Sequence, residues 1–265
     1  MTKPFAVVTG ASSGLGAAFA RSLANRGYDL LLTGRREDKL QALCLQLEQQ
    51  FPIRCQYRCG DLANTEDRQA LLQEITLLPR LDALINNAGY AEDGRFGDID
   101  WSRHQALLDV HIQCTTQFTH AALPNLLAHR GILVNVASVA SWMPTPQSAL
   151  YGPTKAYIRS FSESLALAYH RSGLKVLALC PGFTVTDFHE KLGLNPNEFY
   201  RNRGLVKAWS AEAVVERALK DMAKGRVVSV KGWNYRLIVA LLRLLPMRWL
   251  HFGMKHAQVA RYGAD

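Results

Sequence analysis

Hydrophobic and polar positions follow two different periods along this chain. Seven short apolar runs are separated by longer stretches in which apolar residues recur every three or four positions, the period of a helix with one buried face. The segment Phe5 to Val8 and the triplet Leu30 to Leu32 are continuously apolar, which is typical of strands covered on both sides. The runs predict strands at 5–9, 29–33, 53–58, 83–86, 132–137, 175–179 and 226–230.

The intervening stretches predict the helices of an α/β protein. Such alternation implies right-handed crossovers and a doubly wound parallel sheet with helices on both faces. We find no internal repeat or linker, so the chain is expected to form a single domain over residues 1–265. Ligands bind beyond the carboxyl ends of the strands in such sheets. The predicted helices cover 14–26, 37–50, 65–77, 101–129, 149–172 and 210–223, with two more at 233–244 and 247–260.

Composition narrows the class of protein. The 265 residues are 48% hydrophobic and 20% charged, a balance typical of ordered globular proteins. The net charge of +9 indicates either an anionic partner or a device for solubility. No signal peptide is recognisable, and the most apolar stretch, 237–245, contains Arg243 and is too short to span a bilayer. Five cysteines without closely spaced metal-type pairs predict reduced thiols, no metal site and a cytoplasmic location.

A glycine-rich turn follows the first predicted strand, in the segment Thr9 to Gly16. Glycines between a strand and a helix let the backbone approach a pyrophosphate closely, and the free amides of the helix start attract the anion. The alternative is an ordinary structural turn capped by a serine. The residues predicted to contact a dinucleotide here are Gly10, Ser12, Ser13, Gly14, Leu15 and Gly16.

The end of the second strand predicts which dinucleotide is bound. NAD-selective sheets place an acidic side chain there to hold the ribose 2′-hydroxyl, whereas this chain has Gly34, Arg35 and Arg36. A guanidinium suits a 2′-phosphate through charge-assisted hydrogen bonds, so the cofactor is predicted to be NADP(H) rather than NAD. Arg35 is favoured over Arg36 for this contact. Alternatively, both arginines face solvent, where Glu37 and Asp38 neutralise them.

The third and fourth strands end in further cofactor candidates. Asp61 and Leu62 are expected near the adenine ring. Asn87, Ala88 and Gly89 are small residues at a place where the backbone must pass a flat ligand. Each of these segments is also ordinary turn material when taken alone.

Candidate catalytic residues follow the fifth strand. Ser138 places a hydroxyl at the sheet edge, and Tyr151 and Lys155 lie four residues apart, on one face of a helix. An ammonium close to a phenol favours the phenolate, so Lys155 is expected to lower the pKa of Tyr151. Tyr151 would then exchange a proton with a substrate oxygen held by Ser138. The alternative is a surface tyrosine beside a solvated lysine.

Taken together, these motifs resemble the short-chain dehydrogenase/reductase family over about residues 5 to 230. The resemblance is to its branch of roughly 250 residues and implies a Rossmann-like fold, NAD(P)-dependent carbonyl or alcohol chemistry, and a homodimer or homotetramer. It implies that Ser138, Tyr151 and Lys155 are catalytic, with Tyr151 and Lys155 also at the nicotinamide end. The further cofactor contacts it implies are Pro181, Gly182, Thr184 and Thr186.

One residue departs from the family pattern. The family usually carries an asparagine in the helix after the fourth strand, where we align His111. In the family this residue organises a water that leads to the lysine. His111 is therefore a fourth catalytic candidate, which either preserves a proton path or alters the rate and its pH dependence. The alternative is a packed helix histidine without catalytic weight.

The substrate-recognition end is expected at 183–209, as a lid, and at 233–265, as a helical extension. Apolar residues surround Arg236, Arg243 and Arg248 in the segment 233–250. That segment is open to three interpretations: packing in the core or on another subunit, peripheral contact with a membrane, or a roof over an apolar pocket.

These patterns favour an NADPH-dependent enzyme acting on a small carbonyl or alcohol substrate, with an apolar substrate as one interpretation. No surface of alternating aromatic and basic residues is evident, so no nucleic-acid partner is expected. The alternative is a regulatory or membrane-associated protein that binds NADPH with little turnover.

Overall fold

The computed structural model describes residues 3–185, 207–246, 248–249 and 251–252. Seven parallel strands form one sheet in the order β3-β2-β1-β4-β5-β6-β9, and two short parallel strands, β7 and β8, form a separate pair. The order reverses between β1 and β4, the switch point at which such sheets bind ligands. The strands are β1 (Phe5–Val8), β2 (Asp29–Gly34), β3 (Cys55–Cys59), β4 (Ala83–Asn86), β5 (Ile132–Val136), β6 (Lys175–Leu179), β7 (Thr184–Val185), β8 (Trp209–Ser210) and β9 (Val228–Ser229).

Helices cover both faces of the large sheet. They are α1 (Gly14–Ala24), α2 (Glu37–Gln50), α3 (Thr65–Leu77), α4 (Trp101–Leu108), α5 (Thr115–Ala128), α6 (Tyr151–Ala168), α7 (Ala211–Ala223) and α8 (Trp233–Leu244). One apolar core lies under α1, α2 and α7, and a second lies under α3, α5 and the end of α6. A smaller third cluster includes Ile158 of α6 and Tyr235 of α8. Val7 and Val8 are both fully buried but belong to different cores, because successive strand residues face opposite sides. This confirms the doubly wound α/β fold.

The helix predicted at 101–129 is interrupted. A π-helical segment, Asp109–Cys114, separates α4 from α5, and it contains His111. A π segment inserts one extra residue into the helical repeat and changes the direction of the side chains that follow. The periodicity of apolar residues did not reveal it. Three short 3-10 helices, Phe96–Asp98, Val139–Trp142 and Pro146–Ser148, were also not predicted.

The predicted lid at 183–209 is described only at its two ends, where β7 pairs with β8. Thr186 and most of the predicted helix 247–260 lie outside the described residues. Within the described part of the chain, no helix combines the length and the hydropathy needed to span a bilayer.

Candidate active site

The glycine-rich turn between β1 and α1 is fastened to the end of β4. The Thr9 hydroxyl oxygen accepts hydrogen bonds from the backbone amides of Asn87 and Ala88, each at 3.0 Å. The side-chain nitrogen of Asn87, Nδ2, donates to the backbone carbonyls of Thr9 and Gly10 at 2.9 and 3.0 Å. Gly10 adopts φ +65°, a conformation that favours glycine. Asn87, which was predicted to lie beside a flat ligand, thus holds the shape of the turn in this structure.

The start of α1 fits an anion. A Cβ added to Gly16 would lie 2.3 Å from the Gly10 carbonyl oxygen, so only glycine allows the helix to begin this close to the turn. Within the described chain, the Ser13 side chain makes no capping hydrogen bond to α1. Ser12 instead accepts hydrogen bonds from an arginine. The turn thus differs from the alternative in which a serine caps the helix, and the amides at the helix start suit a pyrophosphate.

The two arginines after β2 lie against different partners. The Arg36 guanidinium donates to Ser12 Oγ, with Nη2 at 3.2 Å, and so reaches the glycine-rich turn. Arg35 Nη1 lies 3.7 Å from Asp61 Oδ2 at the end of β3. A Cβ on Gly34, the last residue of β2, would lie 3.2 Å from Ser12 Oγ, so the end of this strand lies close to the glycine-rich turn. Both cations stand where the sequence predicts a 2′-phosphate contact, and the geometry places Arg36 nearer the turn.

Of the other residues predicted near the cofactor, Leu62 and Leu15 pack against the apolar cores, whereas the Asp61 side chain is partly exposed. Leu62 is buried in the core under α3 and α5, and Leu15 packs partly against the opposite core. Asp61 accepts a hydrogen bond from the Ala63 amide through Oδ1 at 3.1 Å, which fixes its side chain at the sheet edge.

Ser138, Tyr151 and Lys155 meet at the carboxyl edge of the sheet. Ser138 follows β5 and caps the 3-10 helix Val139–Trp142, with its Oγ accepting from the Ala140 amide at 3.1 Å. Tyr151 is the first residue of α6, and its side chain is hydrogen bonded to Ser138. One turn later, the buried Lys155 Nζ lies 5.8 Å from the centre of the Tyr151 ring. The structure therefore assembles the predicted trio.

Burial shifts the pKa values of two members of the trio, Tyr151 and Lys155. Burial raises the pKa of Tyr151 above its ordinary value of 10.0, while the hydrogen bond with Ser138 opposes that shift. The sequence predicted a lowered pKa for Tyr151. It is raised because the loss of water around the phenol outweighs the hydrogen bond with Ser138. Lys155 itself donates to the Val136 carbonyl at 2.9 Å. Burial lowers the pKa of Lys155 to about 8. At neutral pH the phenol therefore keeps its proton.

His111 is fully buried beside the trio. Its Nε2 accepts the backbone N–H of Tyr90 at 3.2 Å, so the ring proton is on Nδ1, which lies 2.8 Å from Thr154 Oγ1. The Thr154 hydroxyl in turn donates to the Tyr151 carbonyl at 2.9 Å. Burial, and then the charge of Lys155, hold the pKa of His111 well below its usual value. The neutral ring thus connects the loop that follows β4 to the first turn of α6, and we call this connection the His111–Thr154 brace.

Gly89 provides the space in which this arrangement fits. A Cβ at Gly89 would lie 2.9 Å from His111 Nε2 and 3.2 Å from Lys155 Nζ. Both side chains therefore approach the backbone of the β4 loop more closely than a larger residue allows. The expected approach of this backbone to a flat ligand stays a prediction.

The segment after β6 is held by a residue that the sequence analysis did not select. The ring of Tyr235, on α8, lies 2.4 Å from the position of a Cβ added to Gly182. Its hydroxyl accepts the Phe183 amide at 3.1 Å. Thr184 Oγ1 donates to the Gly182 carbonyl at 3.1 Å, and Pro181 O accepts the Val139 amide at 3.0 Å, which ties this segment to the 3-10 helix after Ser138. No motif identifies Tyr235.

A buried polar chain underlies the trio. Asn86 Nδ2 donates to Asn135 Oδ1 at 2.9 Å, and Asn135 Nδ2 donates to Ser162 Oγ at 3.0 Å. Asn86 and Asn135 are register partners on β4 and β5. These hydrogen bonds link β4, β5 and α6. They hold α6 on the sheet because breaking them would leave buried side-chain amides without partners, which costs free energy. Two asparagines inside apolar strands are the sequence signal from which these hydrogen bonds could be predicted.

Comparison with known proteins identifies the family. The short chain dehydrogenase family model matches residues 4–197. Sulfoacetaldehyde reductase 2 of Chromohalobacter salexigens is 34% identical over 186 residues, which are 69% of this chain and 73% of that protein. Serine 3-dehydrogenase of Agrobacterium fabrum is 35% identical over 190 residues, covering 69% of this chain and 72% of that protein.

A solved structure extends the likeness to nearly the whole chain. The short-chain dehydrogenase from Sphingobium yanoikuyae, in complex with NADPH, has a TM-score of 0.79 at 26% identity and covers 98% of this chain and 96% of that one. The chain therefore belongs to the short-chain dehydrogenase family.

Proposed function

We propose that this protein is an NADP(H)-dependent oxidoreductase that reduces a carbonyl group or oxidises the corresponding alcohol. The observation that carries the proposal is the contact of Ser138, Tyr151 and Lys155 beside the glycine-rich turn. The relatives named above are a reductase and a dehydrogenase, and the solved structure holds NADPH. The substrate is a small molecule with a carbonyl or hydroxyl group, and assembly as a homodimer or homotetramer stays a prediction.

The chain offers a contact for each part of the cofactor. The turn and the start of α1 would hold the pyrophosphate, Arg35 and Arg36 the 2′-phosphate, and Lys155 the ribose next to the nicotinamide. The bound nicotinamide supplies or accepts the hydride. The other residues proposed to line the cofactor are Asp61, Leu62, Asn87, Ala88, Gly89, Pro181, Gly182, Thr184 and Thr186.

The protein's own residues handle the proton. Ser138 Oγ, at the end of β5, donates a hydrogen bond that orients the substrate oxygen. Tyr151 Oη then donates its proton to that oxygen during reduction and recovers it from the hydroxyl during oxidation. Because burial raises the pKa of Tyr151, the protonated form that reduction requires is the stable form at neutral pH. The His111–Thr154 brace holds the Tyr151 backbone, which keeps the phenol in position.

An assay with a set of carbonyl compounds tests the proposed function. Aldehydes, ketosteroids, sugars and 3-oxoacyl thioesters are offered with NADPH, and the absorbance of the reduced cofactor is followed. We expect NADPH to be consumed with members of one substrate class. NADPH binding without turnover on any compound would instead favour a regulatory protein.

Replacement of either arginine should change cofactor selectivity. A hydrogen bond to a charged group contributes about 1.5–3 kcal/mol, so Arg36→Ala and Arg35→Ala should each weaken NADPH binding about 10- to 150-fold. NADH lacks the 2′-phosphate, and its binding should change little. Titration of each variant with both cofactors measures the effect. Lys39 is exposed on α2, so Lys39→Ala is the control for the loss of one positive charge away from the predicted contact. An equal loss for NADPH and NADH would show that neither guanidinium contacts the 2′-phosphate.

The pH profile of reduction should follow Lys155. Since burial lowers the pKa of Lys155 to about 8, the ammonium is lost as pH rises through that value in the free protein. We expect kcat/KM for NADPH to be flat from about pH 6 to about pH 7.5, and to fall about tenfold per pH unit well above 8. His111 adds no step on the acidic side because its pKa is held well below the usual range. A profile that stays level to pH 10 would contradict this assignment.

A further inference from the structure

The positive charge of the chain is concentrated at its carboxyl-terminal end. Residues 222–264 contain eight lysines and arginines and no aspartate or glutamate. The remainder of the chain is nearly neutral, with 23 basic against 22 acidic residues. The eight cations are Lys224, Arg226, Lys231, Arg236, Arg243, Arg248, Lys255 and Arg261. The carboxyl-terminal part of the sequence therefore carries almost the whole net charge of +9.

Helix α8, in the middle of this basic segment, exposes an apolar stripe. Trp233, Leu237, Leu241 and Leu244 recur at helical spacing and are all exposed, Trp233 by 68% and Leu244 by 81%. Beyond the helix, further large apolar side chains are exposed at Leu245, Trp249 and Phe252. The opposite face of α8 is buried through Tyr235 and Val239. The helix is thus fixed to the domain by one face and presents a second apolar face outward.

The arginines of α8 flank the stripe. At 100° per residue, Arg236 and Arg243 project about 100° around the helix from the stripe. Both are exposed. An arginine in this position can reach lipid headgroups while its apolar neighbours enter the acyl region. The match to the family model ends at residue 197, before α8 begins.

Charge decides which partner fits this face. A second copy of the chain, docked through the same helix, would bring two strongly basic segments together in a contact that repels. An anionic bilayer instead neutralises the segment and accepts the apolar stripe. We propose that α8, together with the exposed Leu245, Arg248, Trp249 and Phe252 beyond it, binds the surface of an anionic membrane without spanning it. The contact of Tyr235 with Gly182 then places the carboxyl edge of the sheet close to the lipid surface.

Co-sedimentation of the full chain with vesicles tests this surface. We expect binding to vesicles of phosphatidylcholine with phosphatidylglycerol, little binding to phosphatidylcholine alone, and a decrease as salt is raised. Each basic residue near an anionic leaflet strengthens binding about fivefold, so the double variant R236S/R243S should bind roughly 25-fold more weakly. The double variant L237E/L241E should lose binding, because it places carboxylates in the apolar stripe.

Matched controls distinguish binding through this surface from non-specific hydrophobic binding and from misfolding of the variants. Leu77 and Leu167 are also strongly exposed leucines, at 72% and 75%, but they lie on α3 and α6. L77E/L167E should bind anionic vesicles like the wild type. NADPH titration of every variant reports whether the domain is folded, independently of any turnover.

The proposal is wrong if the wild type does not sediment with anionic vesicles, or if it binds neutral vesicles equally well. It is also wrong if L237E/L241E, while still binding NADPH, sediments with vesicles as the wild type does. A dimer in solution that L237E/L241E dissociates, together with no vesicle binding, would assign the face to a second copy instead.

Discussion

Replacing Tyr151 with phenylalanine should reduce the rate of carbonyl reduction by about 10²- to 10⁴-fold, the range expected for loss of a general acid. Phenylalanine keeps the ring, which lies edge-on to His111 with 6.0 Å between the ring centres. Only the hydroxyl that bonds Ser138 is removed. NADPH affinity should therefore change by no more than about twofold. The loss is measured by NADPH absorbance with a substrate, and the affinity by titration with NADPH alone.

Tyr157 supplies a matched control on the same helix. Its hydroxyl lies 2.8 Å from Thr116 Oγ1 at an exposed position of α6, away from Ser138. Tyr157→Phe removes an identical group and should leave the rate within about twofold of the wild type. If Tyr151→Phe also kept most of its activity, the proton would have to come from another donor, and the proposed mechanism would be wrong.

The alternation of apolar runs was sufficient to predict the architecture. The predicted strand 175–179 matches β6, and the predicted helix 37–50 matches α2, because buried strands and amphipathic helices differ in period. Strand β9, which pairs with β6 at the edge of the described sheet, is shorter than the predicted 226–230. The π segment around His111 escaped prediction because one extra residue in a turn barely alters the apolar period.

Residues in motifs were easier to predict than the residues that position them. Tyr151 and Lys155 stand one helical turn apart in the sequence, and the resemblance to the family joins Ser138 to them. Thr154 and Tyr235 act through contacts with His111 and Phe183, which lie 43 and 52 residues away in sequence. Local spacing does not indicate such contacts.

Two properties of the site depended on tertiary structure. The sequence favoured Arg35 for the 2′-phosphate, but whether it or Arg36 turns toward Ser12 is decided by side-chain packing. The direction in which the pKa of Tyr151 shifts is also decided by packing. Residue spacing showed a nearby ammonium, but only the structure shows how deeply the phenol is buried and that Lys155 donates to a backbone carbonyl.

Gly16→Ala should have the second-largest effect, on cofactor binding. The new Cβ would lie 2.3 Å from Gly10 O and 2.6 Å from Asn87 Nδ2. Asn87 cannot move away without breaking its hydrogen bonds to the turn. Because a hydrogen bond to a charged group contributes about 1.5–3 kcal/mol, displacing the turn from one such contact with the pyrophosphate should lower NADPH affinity about 10- to 150-fold.

Stability provides an independent measurement of the same change. Overpacking should lower the free energy of unfolding by about 1–3 kcal/mol. Alanine has the higher helix propensity, by about 1 kcal/mol, so without a clash this substitution in α1 would instead stabilise the protein. Thermal unfolding with and without NADPH measures both effects, since excess cofactor should raise the Tm of the wild type much more than that of Gly16→Ala.

Gly97→Ala is the matched substitution, because no described atom lies within 4 Å of the Cβ it would add. We expect it to retain the affinity and the NADPH-dependent rise in Tm of the wild type. A Gly16→Ala protein that is more stable than the wild type and still binds NADPH would mean that the turn has room for a side chain. The close approach of α1 to the turn would then not be what shapes the pyrophosphate site.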